Sequence, residues 1–177
     1  SNIGGIEATK AILELLKTDD TQTLKLAENA LLSSKAEVSS GVMSVYDQAS
    51  EGGKLVALNV LSNRRATLYA GAVMTEMEKG SQKVQQKSAQ ILKNVVTQKE
   101  LNQLFSLLEK EGQQYVSDIQ QAISTVLSAH PAEKQLEIIN KQMAASPAQH
   151  LYYPLLISTG SKESLNNIAD AYRQGTG

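Results

Sequence analysis

The sequence has no cysteine, no tryptophan, one phenylalanine and three prolines in 177 residues. Without cysteine there can be no disulfide and no thiol nucleophile. The compartment stays open, because cytosolic and periplasmic chains can both lack cysteine. So few aromatics means that any core is assembled from many small aliphatic contacts, and hydrophobic residues do reach 41%. There is no excess of either charge: 17 Lys and Arg against 18 Asp and Glu leave a net charge of −1. A protein that grips phosphate backbones usually carries a basic excess, and this one does not. No apolar run approaches the roughly 18 residues of a membrane span, and no signal-peptide pattern is visible.

What is present is helical periodicity, clearest over Ser81–Gly112. Val84, Ser88, Ala89, Ile91, Leu92, Val95 and Val96 follow the stripe of a helix that buries one face, with Ser81 as its N-cap. Leu101, Leu104, Phe105, Leu107 and Leu108 form a second stripe. Thr97 with Glu100 has the capping-box spacing, and Gly112 suits a left-handed C-terminus. Two such helices cannot bury both stripes against each other alone, whereas stacked neighbours can.

Weaker copies of this unit run along the chain. A helix over Ile6–Lys17 is expected to bury Ile12, Leu13, Leu15 and Leu16. The next unit is capped by Asp19-Asp20 or Thr21 and runs through Leu24, Ala27, Leu31 and Leu32. Its second helix carries Val38, Val42, Val45, Tyr46 and Ala49. Gly41 inside that helix costs roughly 1 kcal/mol against Ala, which close helix approach would justify. The third unit opens at Glu51-Gly52-Gly53, buries Val56, Ala57, Val60 and Leu61, turns at Arg64-Arg65, then buries Ala70, Val73, Met74 and Met77 before Gly80. The fifth runs from Gln113 through Ile119, Ile123 and Val126, with Pro131 opening a helix that holds Leu136, Ile138, Ile139 and Met143. In the sixth, Leu151, Leu155, Leu156 and Ile157 precede a Ser161 cap and a stripe of Leu165, Ile168, Ala169 and Tyr172. Pro154 should kink or shorten its first helix.

Corresponding positions Leu24, Gly53, Val84, Ser117 and Gln149 are spaced by 29, 31, 33 and 32 residues. The expected fold is therefore all-α, an α-α superhelix of about eleven helices in roughly five and a half repeats, one repeat domain over residues 1–177. Ser1-Asn2 align with Ser62-Asn63 at the end of a first helix, so the chain is expected to begin inside a repeat as a fragment of a longer protein. An alternative is that Ser1-Asn2 are residues foreign to the protein, and the plainer reading of this stretch is an ordinary N-terminal capping helix.

Few residues suggest chemistry. His130 precedes Pro131 and reads as a solvated loop residue. His150 stands near Tyr152 and Tyr153, a cluster able to bind a sugar or donate a proton, or simply two packed tyrosines with hydroxyls at the rim. Asp19-Asp20 and Glu76/Glu78 read as caps and solvated faces rather than metal ligands. Gly4-Gly5 and Gly52-Gly53 follow helices rather than strands, so they read as breaks and not phosphate loops. No nucleophile elbow is present. Arg64-Arg65 could meet an acidic partner or phosphate; the favoured reading is an arginine bonding helix C-terminal carbonyls.

The unit VQQKSAQIL…ELNQLFSLLEKEG resembles the HEAT repeat, through Val84, the small pair Ser88-Ala89, Ile91-Leu92 and the Leu-rich second helix. It lacks the Pro and Asp of the best-formed versions. The tetratricopeptide repeat, the nearest rival, wants a Trp–Leu–Gly–Tyr pattern that is absent. The turns LSNRRAT and LISTGSKESL are similar to those of degenerate arrays beside glycoside hydrolase-like domains in Bacteroidetes-type secreted or periplasmic proteins. The resemblance implies a bacterial, non-catalytic armadillo-like scaffold without cofactor or metal, accessory to a carbohydrate-active parent. It would bind a protein partner or a neighbouring domain of its own chain, with neither nucleic acid nor membrane. In such arrays second helices line the concave side, so Gln103, Ser106 and Lys110 are the expected partner-binding positions. The alternative is a nucleic-acid-binding HEAT-like protein of the DNA glycosylase type, which wants a basic groove with aromatics. Exposed apolar array ends are expected to allow an end-to-end homodimer.

Overall fold

The computed structural model describes residues 3–110 and 112–160, with 166, 169, 170 and 173; side chains are described from residue 7 onward. The described residues are all-helical, with ten α-helices and no strand. The chain divides into two compact units, Ser1–Val95 and Val96–Gly177.

The first unit holds α1 (Ile3–Glu14), α2 (Thr21–Ser33), α3 (Ser39–Val45), α4 (Glu51–Asn63), α5 (Ala70–Lys79) and α6 (Gln82–Val95). Helix α4 packs between α2 and α6, while α5 packs on α6. Asp20 caps α2, its carboxylate accepting from the Thr23 amide at 2.7 Å. Gly41 lies where expected: a β-carbon there would stand 2.7 Å from a Leu13 methyl. Gly53 is more constrained, because its β-carbon would fall 1.8 Å from the Leu16 carbonyl oxygen. That contact, with Ser50 N donating to Leu16 O at 3.0 Å and Ser50 Oγ to Thr18 O at 2.6 Å, seats the start of α4 on the end of the first helical segment.

The second unit holds α7 (Leu101–Leu108), α8 (Val116–Leu127), α9 (Ala132–Ala145) and α10 (Tyr153–Ser158). The Thr97–Glu100 capping box forms, though it opens a 3-10 turn, Gln98–Glu100, ahead of α7. Gly112 adopts φ 72, the left-handed value anticipated for it. Pro131 is the N-cap of α9. Pro154 sits in the first turn of α10, where it leaves no helical hydrogen bond unmade, and the segment is shortened to a 3-10 turn plus six residues.

The buried stripes of α4 through α7 match the expected residues throughout. Three expected burials need correction. Leu15 is 39% exposed, because α1 ends at Glu14 and tightens into a 3-10 turn that rotates Leu15 outward while Leu16 stays buried. Ile157 is 56% exposed, because α10 lasts too few turns to enclose it. Ala169 is exposed as well. Gly4-Gly5 and Gly52-Gly53 are not breaks: both pairs lie within the first turn of a helix, and glycine there keeps its backbone hydrogen-bonding groups, costing only backbone entropy. Ser1, Asn2, Ser161, Leu165, Ile168 and Tyr172 lie outside the described residues; of the expected eleventh helix, 166, 169, 170 and 173 are described and are helical.

Polar contacts recur at one separation. Side chains bond groups 30 to 34 residues away at Glu28–Asn59, Tyr46–Glu76, Glu51–Ser81, Ser62–Asn94, Gln98–His130, Gln120–Leu151 and Ser124–Ser158.

Candidate binding faces

The sequence-derived positions Gln103, Ser106 and Lys110 are all exposed. The first two share the outward side of α7, opposite buried Leu104, Leu107 and Leu108; Lys110 follows in the turn. The Ser106 hydroxyl donates to Asn102 O at 3.1 Å within its own helix. This is a polar surface.

A cleft of about 220 Å³ lies between the α3 end and α5. Its floor is Leu58, Leu61 and Val73, and its mouth carries Met43, Asp47, Ala72, Thr75 and Glu76. Tyr46 forms one wall. Its hydroxyl donates to Glu76 at 3.1 Å, and the Lys54 ammonium stands 5.0 Å above its ring and 3.9 Å from Glu76. Burial, then the charge of Glu76, pushes the Tyr46 phenol well above its ordinary value near 10. The phenol is thus a fixed donor rather than an acid at neutral pH. The rim charge comes from Asp47 and Glu76.

A second concavity runs over α4. Cavities of about 440 and 360 Å³ share Asn59 in their linings, the first walled by α2, α4 and α6, the second near the α4 C-terminus. Their polar lining includes Asn59, Asn63, Gln86, Gln90 and Asn94, with Lys83, Lys87 and Arg65 as cations and Glu28 as the single carboxylate.

The two arginines of the α4–α5 turn part company. Arg64 Nη2 donates to the Leu31 carbonyl at 3.0 Å and to that of Ser34, closing the exposed end of α2. This is the role favoured from sequence. Arg65 is exposed and takes φ 48. It occupies the left-handed position of a helix-ending motif in which Ala66 N reaches Leu61 O at 3.0 Å and Arg65 N reaches Ser62 O at 3.1 Å.

The histidines do not make a site. The His130 ring nitrogen lies 3.2 Å from Gln98 Oε1 and its carbonyl accepts from Gln135, so it is half-buried and held rather than loose. His150 is exposed. Tyr152 is wholly buried, stacked on Phe105 with centroids 5.9 Å apart, and its hydroxyl donates to Glu109. Burial and that carboxylate raise its pKa far above the usual phenol value. Among the described residues no three His, Asp or Glu side chains gather as metal ligands, and no helix is long and apolar enough to cross a membrane.

Sequence reasoning missed both concavities, because each is made by residues from three elements. No family model, no curated protein and no solved structure matches this chain.

Proposed function

We propose that the chain is a HEAT-like α-α superhelical array acting as a non-catalytic module that binds a protein partner, or a neighbouring domain, through the outward side of its second helices. The polar bonds recurring at 30 to 34 residues support the repeat reading, since stacked copies bring equivalent positions together once per period. The observation that carries the binding role is the α3–α5 cleft. Its apolar floor accepts one aliphatic side chain, and the carboxylates of Asp47 and Glu76 favour a basic residue beside it. Gln103, Ser106 and Lys110 on and after α7 extend the same polar, weakly charged character to another second helix. The cleft has no nucleophile–base pair, and its tyrosine is locked as a donor, so it is suited to holding rather than to reacting.

The test places a photo-crosslinking residue at Thr75 or at Ser106 and compares capture with the same residue at Lys25 on α2. One partner protein should be captured from the second-helix positions and not from Lys25. Ala72→Arg, which blocks the cleft mouth, should abolish capture at Thr75, and the triple Gln103→Glu, Ser106→Glu, Lys110→Glu variant should weaken capture at Ser106, both with the helical circular dichroism signal intact. Equal capture from all three sites, or capture indifferent to these changes, removes the second-helix face as the binding surface. A gel shift at low salt should show no nucleic-acid complex; a tight one would restore the glycosylase-type alternative.

A further inference from the structure

We infer that the trough over α4 is a second, separate docking groove, and that its occupant is an extended peptide segment carrying acidic residues. Three observations lead there, none of which depends on the cleft between α3 and α5.

The first is the chemistry of the lining. Carboxamides from two helices line the two adjoining cavities: Asn59, Gln86 and Gln90 the larger, and Asn59, Asn63 and Asn94 the smaller. An amide side chain donates and accepts at once, which is what an extended main chain with alternating N–H and C=O requires. Two of these amides are occupied within the fold, Asn59 by Glu28 and Asn94 by Ser62 at 2.8 Å. Asn63, Gln86 and Gln90 have side chains that no hydrogen bond within the chain engages among the described residues. The trough has no aromatic ring on which a sugar could stack, so a glycan is a poorer fit than a peptide.

The second is charge. Three cations, Lys83, Lys87 and Arg65, stand against the one carboxylate of Glu28, in a protein whose net charge is −1. Lys83 is paired with Glu51 at 3.0 Å. Lys87, near the middle of α6, and Arg65, past the end of α4, remain for a ligand. Helix α4 has 13 residues, about 20 Å of axis, which an extended segment of about six residues spans. An acidic group near the middle of such a segment would meet Lys87 and one at its end Arg65.

The third is the backbone of Arg65. The left-handed position that ends a helix is where glycine is favoured, and an arginine there is strained. Placing a guanidinium there turns the helix end into a cationic anchor at the mouth of the groove, a role that glycine cannot fill. The same residue lines the cavity beside Asn63 and Asn94. Arg65→Gly therefore separates the two contributions: it relieves the backbone and removes the anchor.

The experiment is selection of a random twelve-residue display library on the whole protein, followed by binding of the recovered synthetic peptides by fluorescence anisotropy. Enriched sequences should carry two acidic residues a few positions apart. Arg65→Gly should lower their affinity about tenfold while its melting temperature stays equal or rises, and Lys87→Glu should weaken them similarly. Ala72→Arg, in the other cleft, should leave them unchanged, so this inference can fail while the proposed function stands, and the reverse. Recovery of peptides without acidic enrichment, or affinities unmoved by Arg65→Gly and Lys87→Glu, overturns it. So does equal binding of heparin or single-stranded DNA at the same positions, which would make the trough a general polyanion surface.

Discussion

The two units share one means of holding neighbouring helices together and differ in another. Both use single polar contacts one period apart, Glu28–Asn59, Glu51–Ser81 and Ser62–Asn94 in the first and Gln98–His130, Gln120–Leu151 and Ser124–Ser158 in the second. The first adds close backbone contact, Gly53 and Ser50 on the Leu16 carbonyl, whereas the second adds the Phe105–Tyr152 stack, with Tyr152 reaching Glu109. Each unit nonetheless contains one buried tyrosine donating to a glutamate. Tyr46 is shielded by the Lys54 ammonium and Tyr152 by an aromatic ring. Scarcity of aromatics thus does not weaken both units alike. The one phenylalanine of the chain is placed where the second unit depends on it.

The sharpest way to break the comparison is at those two dependences. Gly53→Ala forces a β-carbon into backbone that cannot yield, and should destabilise the first unit by about 4 kcal/mol. Phe105→Ala should destabilise the second by about 3 kcal/mol. Hydrogen exchange read separately over α4 and α7 should show each loss confined to its own unit; equal loss in both would mean the units unfold as one.

Next come the phenols. Tyr46→Phe and Tyr152→Phe should each cost about 1 kcal/mol at neutral pH. Both pKa values are raised in the folded state, so the unfolded chain releases these protons first. Stability is then complete below pH 10 and falls as pH rises beyond it. Thermal melts between pH 9 and pH 11 should show that decline flattened in the double Phe variant, and an unchanged slope would remove the two hydroxyls as its cause.

Caps come third. Thr97→Ala should cost about 1 kcal/mol by opening the capping box of the second unit. Asp20→Ala should lower the melting temperature of the first unit in a pH-dependent way. Hydrogen bonds from the Thr23 side chain and then its amide hold the Asp20 carboxyl below its ordinary value. Its contribution is therefore present above the unfolded pKa and fades as pH falls through the folded one. Parallel melts at pH 7 and pH 2.5 should show the Asp20→Ala difference only at the higher pH.

The smallest effect has the opposite sign. Ser88 is fully buried in α6 and its hydroxyl finds no partner. Ser88→Ala should stabilise by about 0.5–1 kcal/mol, measured by urea denaturation. A loss would mean that the hydroxyl bonds a buried water.

Local features were legible in the sequence because local chemistry decides them. The Asp20 cap, the Thr97–Glu100 box, the Gly41 approach and the left-handed Gly112 each follow from a few adjacent residues or from one missing side chain. The α4 to α7 stripes were legible because burial there is continuous with helical period. Leu15 and Ile157 were misplaced because the period changes when a helix tightens or stops, and apolar residues do not announce that. Arg65 was hidden because the helix-ending position is recognised by glycine, and arginine carries no such mark. The tyrosine–glutamate pairs and both concavities depend on partners 30 residues or more apart, and no one-dimensional pattern states which will meet.

The two carboxylate-bonded tyrosines also make the chain its own optical instrument. A phenol that donates to a carboxylate emits weakly, and a protein without tryptophan has no stronger emitter to mask the others. The six tyrosines therefore dominate the near-ultraviolet emission. Loss of the Tyr46–Glu76 or Tyr152–Glu109 bond should brighten it, and one Phe variant at a time silences one channel. Opening of either unit can then be timed in the native sequence, without attaching a dye to a chain that has no thiol to carry one.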